Sequence, residues 1–197
     1  MRILVLLCNP RPASLNRALA ERSRAVLEEG GHEVLFHDLY AEGFDPVLTA
    51  EELARGFSLD PLVQEHYRAL GAADGLVIFH PDWWGGPPAA LKGWVDRVLR
   101  QGIAYDLEGE DFTEKSFAPL LGGKRALVFC TTDESDSRAA RQLEDLWRER
   151  VLGPCGMAVR CKVFAGLRSF GPAERAACFT AVDTLVKEAF PACRRDP

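Results

Sequence analysis

The feature that most constrains this chain is a repeated alternation of short apolar runs with segments of helical spacing, each unit punctuated by glycine or proline. Arg2 to Cys8 is apolar and stops at Asn9-Pro10-Arg11-Pro12. From Ser14 to Leu27 the apolar spacing turns helical, and Gly30-Gly31 ends it. Glu33 to Leu39 reads as a second strand. A polar excursion with Gly43, Pro46 and Gly56 follows, then a helix from about Leu62 to Leu70. Gly75 to His80 is a third strand. Pro88 to Gln101 carries Leu91, Trp94, Val95, Val98 and Leu99 at i, i+3, i+4, i+7 and i+8, which places them on one helical face. Gly122-Gly123 introduces a fourth strand, Ala126 to Thr131, followed by a charged helix from about Ser137 to Val151. A fifth strand near Met157 to Ala165 and a helix from Pro172 to about Ala189 complete the pattern.

The first, third and fourth strands are continuous apolar runs, as parallel strands covered on both faces must be. Alternating strands and helices joined by right-handed crossovers form a three-layer, doubly wound α/β sheet, and for five parallel strands the natural order is 2-1-3-4-5. The 197 residues suit one domain spanning 1–197. Ligands in such sheets bind beyond the carboxyl ends of the central strands. That selects three loops: Asn9 to Asn16, Pro81 to Pro88 and Thr131 to Arg138.

Charge and apolar content narrow the function classes. With 29 acidic against 24 basic residues the net charge is −5, and no general basic field attracts a nucleic-acid backbone. The opening apolar run is too short for a signal peptide, and no run reaches the roughly 20 residues that span a bilayer, so the chain is expected to be cytoplasmic. The six cysteines show neither C-x-x-C spacing nor nearby histidine pairs. They read as free thiols in or near a core, and no metal site is expected.

The loops carry no G-x-G-x-x-G and no G-x-x-x-x-G-K-[ST]. Instead Asn9, Arg11, Ser14 and Asn16 surround a helix start, where free N–H groups and the dipole favour an anion. Ser14 as a plain N-cap explains the same residues. The second loop, Pro81-Asp82-Trp83-Trp84-Gly85-Gly86, is more specific. Two tryptophans at a strand end need a partner for their area, and glycines beside them let backbone approach a ring edge, so a flat aromatic ligand fits. A core position for one indole and a dimer contact for the other is the competing account.

Pro81-x-x-Trp84, Pro88-Ala89-x-Leu91-Lys92-Gly93-Trp94-x-Asp96-Arg97-Val98 and Gly102-Ile103-Ala104-Tyr105 together resemble the central motif of the flavodoxin-like NAD(P)H:quinone oxidoreductases. The resemblance extends to Ser14-Leu15-Asn16, Asp38-Leu39-Tyr40 and Thr131-Thr132. It implies a homodimeric flavoprotein holding FAD, or alternatively FMN, that passes a hydride from NAD(P)H to a quinone-like acceptor. On this resemblance Asn9, Ser14, Leu15 and Asn16 hold the phosphates. Pro81, Asp82, Trp83, Trp84 and Gly85, with Thr131, Thr132 and Asp133, line the isoalloxazine, while Trp84 and Tyr105 bound the acceptor pocket, Tyr105 in that of the partner subunit.

The chain departs from the family after the fourth strand. Asp133-Glu134 stands where relatives carry Gly-Gly, and the tyrosine and histidine that support developing charge downstream are absent. Arg138 or Arg141 is the candidate to neutralise the acid pair, a solvated polar face with i, i+3 and i+4 pairs being the competing account, and Arg138 and Tyr105 are the only candidates for a catalytic role. His66 is assigned to a surface helix and His80 to a satisfied structural position. Reduction of azo or nitro compounds, or an ancillary nucleotide-binding module with weak turnover, are the alternatives to quinone reduction.

Overall fold

The computed structural model describes residues 1–108 and 116–193. Its main sheet contains β1 (Arg2–Leu7), β2 (Glu33–Asp38), β3 (Gly75–Pro81), β6 (Arg125–Thr132) and β7 (Ala158–Ala165), all parallel, in the order β2-β1-β3-β6-β7. β6 and β7 are the predicted fourth and fifth strands, so the expected order holds. Around the sheet stand α1 (Leu15–Glu29), α2 (Ala50–Arg55), α3 (Pro61–Ala72), α4 (Ala89–Val98), α5 (Ser137–Asp145) and α6 (Pro172–Ala189).

The continuous apolar runs are explained by strand geometry, which sends successive side chains to opposite faces. Leu4, Leu6, Leu76, Ile78 and Val128 join Val63, Leu91, Trp94 and Trp147 in one core. Their neighbours Ile3, Val5, Val77, Phe79 and Phe129 join Leu19, Leu27, Val182 and Val186 in the other. Each fully buried aliphatic side chain contributes roughly 1.5–3 kcal/mol relative to an exposed one, so both layers hold the sheet strongly.

Three features differ from the sequence reading. Residues 146–151 continue α5 as a wider π-helical turn, which places Trp147 in the core. A hairpin of β4 (Tyr105–Glu108) and β5 (Ser116–Pro119) precedes β6 and was not predicted: Tyr105-Asp106-Leu107-Glu108 alternates over only four residues, and Ser116-Phe117-Ala118-Pro119 does not alternate cleanly and ends in proline. The excursion after β2 contains α2, whose Thr49 and Glu52 form a reciprocal capping box. Gly93 lets that excursion sit directly on α4, where a Cβ would lie 2.2 Å from Pro46 Cα. His66 is a correction: it is fully buried on α3, because that helix is covered by the excursion. Among the described residues no helix is long and apolar enough to cross a membrane.

Candidate functional site

The carboxyl ends of β1, β3 and β6 open into a cleft of about 760 Å³. All twelve residues expected at a cofactor site line it: Asn9, Ser14, Leu15 and Asn16 from the first loop, Pro81 to Gly85 from the second, and Thr131, Thr132 and Asp133 from the third.

The first loop is tied to the floor. Ser14 Oγ accepts from the Arg17 N–H at 3.2 Å and caps α1. Asn16 Oδ1 accepts from Asn9 Nδ2 at 2.8 Å and from the Thr131 hydroxyl at 3.0 Å, joining the first loop to the third. Its other end, Nδ2, is buried without a hydrogen-bond partner among the described residues. A buried donor left unmade costs about 1–3 kcal/mol, so this cleft residue is poised for an acceptor from outside the chain.

The second loop is fixed where it leaves the sheet and open at its tip. The Asp82 N–H donates to the Thr131 carbonyl at 2.7 Å. The Asp82 carboxylate accepts from the Thr132 hydroxyl at 3.0 Å and from the Gly85 N–H at 2.9 Å. Trp84 is the only non-glycine residue with positive φ among those described, at +59°, followed by Gly85 at +81°. Its indole is fully exposed, and Trp83 is also exposed. Neither tryptophan is a core residue.

The third loop corrects one expectation. Asp133 pairs at 3.1 Å with Arg168, from the turn after β7, and not with Arg138 or Arg141. Arg138 is exposed in the first turn of α5 and is not part of the cleft wall, while Arg141 donates to Ser137 Oγ. The wall also contains Leu167, at the same turn as Arg168, and Arg175, in the first turn of α6. Sequence reasoning missed both. The signal was available in Gly171-Pro172, which starts a helix at the same carboxyl edge that selects the other three loops. Among the described residues neither the Arg175 nor the Arg11 guanidinium has an ion-pair partner, so both leave positive charge at the cleft.

Tyr105 lies elsewhere. It stacks on Phe117 with ring centroids 4.4 Å apart and lines a second groove of about 390 Å³ with Leu99, Val151 and Cys155.

Among the described residues one group of side chains has metal-ligand spacing: His37, Glu42 and His66, with donor atoms within 4.8 Å of one another. Its hydrogen bonding opposes a metal. The Trp94 indole N–H donates to His66 Nδ1 at 3.1 Å, which puts the proton of the neutral ring on Nε2, aimed at Glu42 Oε2 at 3.2 Å. A ligating histidine instead donates from its second nitrogen. These residues form a closed hydrogen-bonded chain.

The Flavodoxin_2 family model, described as a flavodoxin-like fold, matches residues 1–185. An uncharacterized NAD(P)H oxidoreductase of Haemophilus influenzae is 40% identical over 112 residues, which are 55% of this chain and 55% of that protein, so the chain spans about half the length of that relative. A solved structure from Streptococcus mutans superposes with a TM-score of 0.83 at 27% identity, over 95% of this chain and 100% of that one. The NAD(P)H:quinone oxidoreductase from Methanothermobacter marburgensis does so with a TM-score of 0.77 at 26% identity, over 95% and 96%. The order of the five parallel strands, the cleft at their carboxyl ends and a match running through nearly the whole chain lead to one conclusion: the chain belongs to the Flavodoxin_2 family, with the flavodoxin-like fold.

Proposed function

We propose that this chain is a flavin-dependent NAD(P)H oxidoreductase that delivers two electrons as a hydride to a quinone-like acceptor, with the carboxyl-edge cleft as its flavin seat. The observation that carries this reading is the buried, unpartnered Asn16 Nδ2 in a cleft walled by two exposed indoles. A donor and a pair of aromatic faces are what a planar heteroaromatic group requires. The names of the relatives, NAD(P)H oxidoreductase and NAD(P)H:quinone oxidoreductase, support the same chemistry. Bound there, a flavin would supply the hydride-carrying centre that connects the nicotinamide donor to the acceptor.

The chain's own residues would position that group and set the field around it. Free N–H groups at the start of α1, with the Ser14 side chain and Arg11, form the phosphate seat. Asn16 and Thr131, joined at 3.0 Å, hold the floor. The Thr132 hydroxyl and the Gly85 N–H engage Asp82, which spreads its negative charge away from the ring edge. Arg168 does the same for Asp133. Trp83 and Trp84, exposed on the cleft wall, would offer aromatic faces to the ring. Two unpaired guanidiniums, Arg11 and Arg175, suit two phosphates better than one, which favours FAD over FMN.

Tyr105 and Phe117 belong in this reading to a homodimer contact. Exposed Val47, Leu53, Leu59 and Leu120 supply further apolar area for a second copy. The free thiols and the nicotinamide donor accord with a cytoplasmic enzyme.

The experiment is the absorption spectrum of the purified protein, chromatography of the released cofactor, and NAD(P)H consumption with benzoquinone. A yellow protein releasing FAD and consuming NAD(P)H is expected. A colourless protein that neither FAD nor FMN reconstitutes overturns the reading. Release of FMN alone overturns the diphosphate assignment, and flavin binding without turnover points to an ancillary module.

A further inference from the structure

His80 lies beneath the loop that faces the cleft, fully buried at the end of β3. Both of its ring nitrogens are engaged. The Trp147 indole N–H, which can only donate, lies 3.0 Å from Nε2. Nε2 is therefore the bare nitrogen, and the ring proton sits on Nδ1. From there it is donated to the Pro81 carbonyl at 2.8 Å. Trp147 belongs to the π-helical turn at residues 146–151, an irregularity that recurs at functional sites.

The Pro81 carbonyl and the Asp82 N–H are the two polar ends of one planar peptide unit. His80 holds the first end, and the Thr131 carbonyl holds the second at 2.7 Å. A peptide plane bonded at both ends cannot rotate, and its orientation sets the direction in which Asp82 to Gly85 leave the sheet. We propose that His80 is a positioning residue for the cofactor loop: with Trp147 it locks the Pro81–Asp82 peptide plane and so presents Asp82 to Gly85 to the cleft. The lock rests on this chain alone, while its consequence for cofactor affinity rests on the flavin reading above.

Two measurements on His80→Phe, His80→Asn and Trp147→Phe separate these layers. The first is amide hydrogen exchange at Asp82 and Gly85 in the cofactor-free protein, with the amides of Leu4 to Leu6 as an internal reference. The second is flavin titration with FAD, followed by fluorescence quenching and visible circular dichroism. In His80→Phe the Asp82 and Gly85 amides should exchange about tenfold faster with the reference unchanged, and FAD should bind about tenfold more weakly with an altered dichroism. His80→Asn, which keeps a donor near the Nδ1 position, should recover most of both. Trp147→Phe, which frees the tautomer, should speed the same two amides, and it carries the exchange test should His80→Phe not fold. Unchanged exchange at Asp82 and Gly85 overturns the proposal. So does faster exchange with unaltered FAD affinity and dichroism. Faster exchange in a chain whose wild type binds neither FAD nor FMN overturns the flavin reading and leaves the lock standing.

Discussion

Two polar regions of this molecule are built from similar residues and finished differently. In the excursion at residues 41–60 each buried charge is answered from within the chain. Arg97 is almost wholly buried and donates to Glu52 at 2.6 Å and 3.2 Å, to Asp60 at 3.1 Å and to the Asp45 carbonyl at 2.6 Å. Glu42 sits between His37 and His66, and His66 is held by Trp94. In the cleft, by contrast, Asn16 Nδ2 and the guanidiniums of Arg11 and Arg175 are left without partners among the described residues. A polar network that closes on itself is scaffold. One that leaves bonding capacity open is shaped for a group the chain does not contain.

The largest test of this contrast is Arg97→Ala. It leaves Glu52 buried without its counter-ion, and breaking a buried pair costs about 3–5 kcal/mol. Urea unfolding should show that loss, while FAD affinity of the folded fraction stays unchanged. A loss below about 1 kcal/mol would remove the distinction, since the excursion would then be no better satisfied than the cleft.

Asn16→Ala follows in size and should affect both stability and binding. It takes the shared acceptor from Asn9 and Thr131, costing about 1–3 kcal/mol. It also removes the open donor, so FAD affinity should fall at least tenfold. Arg175→Ala is the sharper probe, because an exposed, unpaired side chain leaves stability within about ±0.5 kcal/mol while FAD binding weakens about tenfold. Unchanged FAD affinity in Arg175→Ala would refute the reading of that open charge as a phosphate contact.

Acid separates the two regions by pH. Burial is the largest influence on Glu52 and raises its pKa, but hydrogen bonds from Arg97, Ser58 and the Thr49 N–H outweigh it and hold the carboxyl at about 2. Glu42 is held at about 2 against its own burial by His37 and His66. Both lie below the ordinary 4.5, so their stabilisation is present above pH 4.5 and is lost as pH falls from there towards 2. His80 is depressed by burial from 6.5 to about 4, so its cost enters earlier, as the unfolded chain takes up a proton between pH 6.5 and 4. Thermal melts against pH should show a shallow loss from 6.5 that His80→Asn abolishes, then a steeper loss below 4.5. A single step starting at 4.5 in the wild type would remove His80 from the account.

How much of this was legible in the sequence follows from which interactions are local. The apolar runs at Ile3 to Leu7, Gly75 to Phe79 and Ala126 to Cys130 announced a parallel sheet, and its carboxyl edge selected the three loops that do meet. Ser14 as a cap and Trp83-Trp84 as exposed aromatics were readable because caps and turns are decided within a few residues. The excursion was not. His66 looked like a surface residue because what buries it is Gly93 admitting Pro46 and Arg97 gathering Glu52 and Asp60 across more than thirty residues. The partner of Asp133 was missed for the same reason: Arg168 arrives from the turn after β7, while Arg138 and Arg141 were merely near in sequence. Asn16 Nδ2 shows its meaning only once its other end is seen to be occupied by Asn9 and Thr131.

The smallest expected effect lies at Trp84 and runs against the usual sign. A bulky residue in the left-handed region costs roughly 1–2 kcal/mol, and this indole, fully exposed, recovers nothing through packing in the free chain. Glycine removes the strain and forfeits about 0.5–1 kcal/mol of chain entropy. Trp84→Gly should therefore be slightly more stable, with Tm raised by about 2 °C. On the proposed function the same change should raise KM for benzoquinone and weaken flavin binding, because the strained turn holds an aromatic face at the open edge of the cleft. A protein improved in folding and impaired in binding by one substitution would mark residue 84 as a place where strain serves the site. If Trp84→Gly instead melts several degrees lower, the indole is packed in the working protein, and the homodimer contact proposed at Tyr105 and Phe117 is where to look for its partner.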